Sequence, residues 1–414
     1  MDTFIARQPI FDNQIRVYGY ELLFRRGIEN FYDGRDSDEA SFKVIVDSCL
    51  FPGAGNVTEG KRAFLNFTRT TLLKDCAFLL PKEFAVIELL ETVKPDPDVI
   101  EACQKAKAAG YTIALDDFAD QIENEALTEL ADIIKVDFLA TSKQQQQKLA
   151  KRFGPRGISL CAEKVETWGV YNDAVAMGYS LFQGYFFGRP VILTGHNIPA
   201  NKLNYLYLIR EIHRPDLRFS EIEELIRYDL SLAYKLLRYL NSAAFGFRRE
   251  IGSVRQAVAQ LGEQGIRKWV TLIALVQIAN DCPSELVRRA IVRAAFCESV
   301  AKAIGLGAKA EDLYLLGIFS CLDAILGRNL SEILEELSVA GDIQAALLGD
   351  DSTLGNIYQC VLEYEAGNWD KTCEFASKLK LEETKLPAFY RSALIQAAEI
   401  FKIGSARQAE PVKK

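Results

Sequence analysis

Histidine is almost missing from this chain: His196 and His213 are the only two among 414 residues. Chemistry built on a histidine cluster, whether a zinc site or a His-based relay, is thereby excluded. Nine cysteines are scattered without a Cys-x-x-Cys pair, which supports neither a zinc ribbon nor a disulfide framework and predicts buried, reduced thiols. No run reaches the ~20 apolar residues that a bilayer span requires. Met1-Asp2-Thr3 lacks the basic-then-apolar opening of a signal peptide. These absences predict a soluble, cytoplasmic protein without membrane contact. Basic charge is also short, since 49 Lys+Arg against 56 Asp+Glu leave a net charge of −7. Binding of nucleic-acid polymers is not expected, because it needs a basic face to displace counterions.

What is present is ordinary globular material, 49% hydrophobic and 25% charged. At ~100–200 residues per domain, this length suits two or three domains. Up to about residue 193, short apolar runs alternate with helix-like stretches. Ala63-Phe64-Leu65-Asn66-Phe67, Phe84-Ala85-Val86-Ile87-Glu88-Leu89, Tyr111-Thr112-Ile113-Ala114-Leu115-Asp116, Ile133-Ile134-Lys135-Val136-Asp137 and Ile158-Ser159-Leu160-Cys161-Ala162-Glu163 are five such runs. Their alternation with segments such as 98–109 is the pattern of repeated βα units on a parallel sheet.

Each run carries a polar residue near its C-terminal end: Asn66, Glu88, Asp116, Lys135, Glu163 and, after one more unit, Gln183. Steps of 19 to 28 residues fit one βα unit each of a (β/α)8 barrel or a reduced one, whose strand ends converge on one mouth. A doubly wound open sheet is the alternative, but it would not bring six successive strand ends together. The expected fold is therefore a TIM-like α/β barrel followed by an all-α domain.

Past Pro199 the strand signals stop. Ser220 with Glu223, and Ser253 with Gln256, read as capping boxes that open helices. Asp229 marks a break and Gly262 a helix end. Helical spacing continues over 285–304, 311–327 and 331–348. The expected division is a barrel over 1–195, a helical domain over 196–402 and a flexible tail over 403–414, with the boundary loop near 193–201.

Gathered at one mouth, Glu21, Asn66, Glu88, Asp116, Asp117, Lys135, Glu163, Glu166 and Gln183 form an oxygen-rich set without His or Cys. Such a set suits a hard cation, Mg²⁺ or Mn²⁺. Packed carboxylates repel one another and need such an ion to stay charged together. The adjacent Asp116-Asp117 can serve a pair of metals, the arrangement that hydrolyses phosphodiesters. Each residue also has a plainer use, for example Asp116 and Asp117 as helix caps and Glu88 as a first-turn acid. A barrel glycosidase would use a carboxylate pair but has no use for Asn66, Lys135 and an Asp-Asp pair together.

In this series the N-terminal half resembles the EAL domain, the bacterial cyclic di-GMP phosphodiesterase family. Its Glu-Ala-Leu signature appears as Glu21-Leu22-Leu23. Leu65-Asn66-Phe67-Thr68, Glu88-Leu89-Leu90-Glu91, Asp116-Asp117-Phe118, Lys135-Val136-Asp137, Glu163-Lys164-Val165-Glu166 and Gln183-Gly184-Tyr185 follow in family order. The resemblance implies metal ligation by Glu21, Asn66, Glu88 and Asp116, with Asp117 reaching a second ion. It further implies that Lys135 holds the attacking water, that Glu163 ligates metal or acts as base, and that Glu166 and Gln183 support that network. Arg25 would contact a substrate phosphate, and the product would be the linear dinucleotide pGpG.

The departures are specific. Active members follow Asp-Asp-Phe with Gly-Thr-Gly-Tyr-Ser-Ser, whereas this chain has Ala119-Asp120-Gln121-Ile122-Glu123-Asn124. The helical half resembles the HDOD domain, a relative of HD phosphohydrolases thought to act as an output module. The resemblance is carried by Leu240-Asn241-Ser242-Ala243-Ala244-Phe245-Gly246, Ile251-Gly252-Ser253 and Gln260-Leu261-Gly262. His213 precedes Arg214 rather than an aspartate, so metal hydrolysis by this half is excluded on ligand count, and His213 reads as a helix-end or surface residue. The whole resembles EAL–HDOD signalling proteins of the YuxH type. Two readings follow: a cyclic di-GMP phosphodiesterase or receptor with a protein partner on HDOD and homodimer contacts, or an inactive scaffold working through protein contacts alone.

Overall fold

The structure of the protein, a computed structural model, describes residues 3–26, 57–118, 125–184, 200–214, 216–241, 251–337 and 339–405. Two compact units make up the chain. The first joins Met1–Arg189 to Leu362–Glu374 and Glu382–Pro387, and the second holds the remainder.

In the first unit eight strands close a barrel in sequence order. They are β1 (Thr3–Asp12), β2 (Val17–Arg26), β3 (Arg62–Phe67), β4 (Ala85–Leu89), β5 (Thr112–Leu115), β6 (Ile133–Asp137), β7 (Ser159–Glu163) and β8 (Leu181–Gln183). Strands β2 to β8 run parallel, whereas β1 is antiparallel to both β2 and β8. An all-parallel barrel needs a crossover helix between β1 and β2, and four residues cannot supply one. A tight turn does the joining. Asp12 Oδ1 accepts from the N–H groups of Gln14 and Arg16, each at 2.9 Å.

Strands β4 and β6 are buried at every position, as parallel strands covered on both faces must be. Inside the barrel Ile10, Phe64, Val86, Ala114, Ile133, Cys161 and Leu181 pack as one apolar layer. On β2 the matching position is Gly19, where a Cβ would lie 2.8 Å from Arg62 O and 3.0 Å from the Phe64 ring. The bulk of Phe64 therefore takes the room that a side chain on Gly19 would need.

The sequence pattern joins residues 362–374 to the helical half, but the structure places them in the barrel unit. Tyr364 and Trp369 bring their rings 6.2 and 5.8 Å from that of Phe4 on β1, and Gln8 Nε2 donates to Ala366 O at 3.3 Å. Phe4 shares a face of β1 with Gln8 and Ile10, so these aromatics pack on that face beyond Gln8.

Helices alone form the described part of the second unit. Ala200–Ile212, Phe219–Tyr228, Leu230–Leu240, Val254–Ile278 and Ser284–Ala303 come first. Ile222, Ile226, Leu232, Leu236, Leu240, Val258, Ile266 and Val270 form one buried cluster, at the helical spacing their sequence shows. Ser253 caps its helix, accepting from Gln256 N–H at 3.2 Å, while Gln256 Oε1 accepts from Gly252 N–H at 3.1 Å. Gly262, at φ +70°, interrupts the Val254–Ile278 helix. The other expected cap is displaced: the helix starts at Phe219, and Glu221 rather than Glu223 accepts from the preceding Arg218 N–H. Both pairs share the same spacing, so spacing alone does not choose between them. Asn241 donates to the carbonyl of Ile251 at 2.9 Å and accepts from its N–H at 2.7 Å. Residues 242–246 of that motif, the boundary loop with His196 and the end of the tail lie outside the described residues. Among those described, no helix is long and apolar enough to cross a membrane.

His213 closes the helix Ala200–Ile212, as expected of a helix-end residue, but its ring turns inward. Its Nε2 lies 2.7 Å from Thr271 Oγ1. Burial, with the Arg267 guanidinium adding to it, lowers its pKa to about 4. The unfolded chain then binds more protons than the folded one between pH 6.5 and 4, so stability present above 6.5 is lost as pH falls. Acid is expected to weaken the helical unit by at most ~3 kcal/mol over that window. Thermal melts of wild type and His213→Gln at pH 7, 5.5 and 4.5 check this, the variant showing the smaller slope.

Candidate functional site

Side chains alternate along a strand, so residues two apart share a face. Two positions beyond the apolar layer, on the same inward face, stand Asn66, Glu88, Asp116, Lys135, Glu163 and Gln183. On the antiparallel β1 the same step runs backwards from Ile10 to Gln8. Glu21 of β2 completes the ring, in register with Phe64. Thus an apolar floor carries a polar layer.

Lys135 sits at its centre, fully buried. Its Nζ donates to Glu21 Oε2 at 3.1 Å and to Glu88 Oε1, and pairs with Asp116 Oδ1 at 3.1 Å and Glu163 Oε1 at 2.6 Å. Gln183 Nε2 donates to Glu21 Oε2 at 2.7 Å and to Gln8 Oε1 at 3.1 Å. Asn66 Nδ2 reaches Glu21 Oε1 at 3.5 Å.

One ammonium faces four carboxyl groups, and their protonation tendencies diverge accordingly. Burial drives the Glu88 carboxyl well above its usual range against the pull of Lys135, with Glu21, Asp116 and Glu163 adding to the rise. Burial likewise pushes Glu163 up to about 8, opposed by Lys135 and reinforced by Asp116 and Glu21. Glu21 moves the other way: burial would raise it, but Lys135 and the amides of Gln183 and Asn66 outweigh that. Burial opposes the charge on Lys135, yet the surrounding carboxylates hold it firmly protonated.

Three acceptor atoms in this layer, Asn66 Oδ1, Glu88 Oε2 and Gln183 Oε1, are buried without a hydrogen-bond partner. Buried acceptors are rarely left so unless a ligand or ion serves them. Glu21, Glu88 and Glu163 can each place one oxygen within 4.8 Å of the others. Glu91, Asp116 and Asp117 form a second such group, more exposed. The donor set, all oxygen with surplus negative charge, fits a hard divalent cation.

Of the residues expected from sequence, Glu21, Asn66, Glu88, Asp116, Lys135, Glu163 and Gln183 meet in the buried layer. Asp117 falls in the outer acidic group, its backbone in the left-handed region at φ 39°, where a non-glycine residue is strained. Glu166 is half-buried three residues beyond β7. Arg25 lies on β2, but its side chain and the 119–124 segment are outside the described residues. Gln8 is the member that sequence reading missed.

The family described as the HDOD domain matches residues 198–341. The chain is 35% identical over 391 residues to the uncharacterised protein YuxH of Bacillus subtilis strain 168, covering 92% of this chain and 95% of that one. It is 33% identical over 370 residues to the cyclic di-GMP phosphodiesterase CdgJ of Vibrio cholerae serotype O1, covering 89% of this chain and 86% of CdgJ. Among solved structures, BlrP1 of Klebsiella pneumoniae in a calcium and cyclic di-GMP complex is similar at 23% identity and a TM-score of 0.37, over 46% of this chain and 56% of that one.

Proposed function

The chain belongs to the EAL–HDOD family, and from that membership we propose that its barrel binds cyclic di-GMP and hydrolyses it to pGpG. The observation that carries the reading is the buried layer of four carboxyl groups around Lys135, with three orphaned acceptors facing no partner. Glu21, Asn66, Glu88 and Asp116 would hold a divalent ion, and Asp117 would serve a second; Mg²⁺ and Mn²⁺ are the natural occupants. Bound ions would neutralise the carboxylates and stabilise charge developing on the phosphoryl oxygens.

Lys135 orients the attacking water and offsets phosphate charge. Glu163 accepts the water's proton, because positive charge entering the site draws its carboxyl back toward the ionised form. The oxygen of the water bonds to phosphorus, one ring ester bond breaks, and the leaving oxygen takes the proton that Glu163 received. Gln183 and Glu166 keep the carboxylates and the water aligned, and Arg25 binds a phosphate. The helical unit is assigned the output role toward a protein partner. A cytoplasmic setting and pairing of two chains belong to the same reading.

The test is chromatographic. Full-length protein incubated with cyclic di-GMP and Mg²⁺ or Mn²⁺ is expected to release pGpG, and EDTA is expected to stop it. The segment 119–124, which lacks the glycines and hydroxyls of active members, favours a second reading, the inactive scaffold. Absence of both product and calorimetric binding would establish that scaffold.

A further inference from the structure

The helical unit contains a cleft of about 220 Å³ that no step of the proposed hydrolysis uses. Its walls come from the helices Leu230–Leu240, Val254–Ile278 and Leu386–Ser405. Trp269, Tyr239 and Phe401 supply aromatic surface, with Leu272 and Ile273 beside them. Tyr239 and Trp269 lie with ring centroids 6.3 Å apart.

Polar groups on this lining are few and mostly of one sign. Lys235 and Arg238 stand one helical turn apart or less on the first helix, and Gln277 adds an amide. Arg238 makes no ion pair among the described residues. Burial raises the pKa of the Tyr239 hydroxyl, and the charge of Glu399 adds to the rise. Trp269 is 3% exposed, and its indole N–H is buried without an acceptor.

We propose that this cleft binds a small amphipathic anion, an apolar body of one or two rings or a short acyl chain bearing a carboxylate, sulfonate or phosphate. The apolar body stacks on the aromatic wall, and the anion meets Arg238 and Lys235. A volume below the ~300–1,000 Å³ of sites for drug-sized ligands limits the occupant to something compact. Arg238, without an ion pair among the described residues, is the cation on this lining that an anion would meet. Neutral apolar molecules lose the charged contact and bind more weakly.

Naphthalene-2-sulfonate and its uncharged analogue naphthalene-2-methanol are the probes, titrated calorimetrically into the full-length protein. The sulfonate is expected to bind at least ~10-fold more tightly than the alcohol, the difference a hydrogen bond to a charged group makes. Arg238→Glu is expected to weaken the sulfonate by ~10-fold or more while leaving the alcohol unchanged. Ile273→Trp, which fills the cleft, is expected to remove both. Equal binding of the two probes, no binding of either, or an Arg238→Glu variant that holds the sulfonate as wild type does would overturn the proposal. Should Ile273→Trp fail to fold, Arg238→Glu, a change at the rim, still decides.

Discussion

Glu21→Ala is expected to abolish metal-dependent formation of pGpG while leaving the barrel folded. Glu21 accepts from Lys135, Gln183 and Asn66 at once, so its loss removes a proposed ligand oxygen and frees three neighbours. Loss of an outer partner of a metal ligand typically costs 10–100-fold in affinity or activity, so direct loss of a ligand is expected to exceed ~10²-fold. Folding is spared because one acid fewer around Lys135 reduces repulsion among those that remain. Product formation and the melting temperature, measured on one preparation, separate the two effects. A variant that turns over at the wild-type rate would show that the site is misassigned.

Lys135→Met is expected to remove turnover and, in the absence of divalent ions, to destabilise the barrel as well. The substitution keeps the apolar stem but leaves Glu21, Glu88, Asp116 and Glu163 without their shared cation. Breaking a buried ion pair from one side costs about 3–5 kcal/mol. The carboxyl groups would then hold protons more tightly when folded than when unfolded. Such groups favour the folded state below the unfolded carboxyl range, and that contribution is lost as pH rises through their folded pKa values. Melts of the variant in EDTA should therefore fall between pH 5 and pH 8, and Mg²⁺ should restore them by binding the folded state. A variant as stable as wild type in EDTA at pH 8, with no response to Mg²⁺, would mean that the carboxyl groups do not depend on a cation.

Much of this site is legible in the sequence for a geometric reason. Parallel strands end at one mouth, so the polar residue that closes each apolar run marks its own place; Asn66, Glu88, Asp116, Lys135, Glu163 and Gln183 all obey this. Gln8 escapes because β1 runs the other way, and its inward residue comes before the apolar one rather than after it. The reversed first strand is likewise hidden, since a hairpin leaves no helical interval to count.

Assignment of residues 362–374 to the barrel unit was not legible at all. Their helical spacing continues that of the second half, and the distant ring of Phe4 and amide of Gln8 distinguish them. Long-range aromatic contacts leave no local pattern to read.

The meeting of Gln183 with Glu21 joins residues 162 positions apart, and its contact with Gln8 spans 175. The pocket is thus assembled across the seam where the first strand greets the last. During synthesis at ~5–20 residues per second, roughly 8 to 30 s separate the emergence of Glu21 from that of Gln183. A nascent chain consequently carries Glu21 without its Gln183 partner for that whole interval. Long-range closure of this kind is slow relative to local folding, so slower β1–β8 pairing would lengthen the delay before a new molecule becomes competent without altering the finished one.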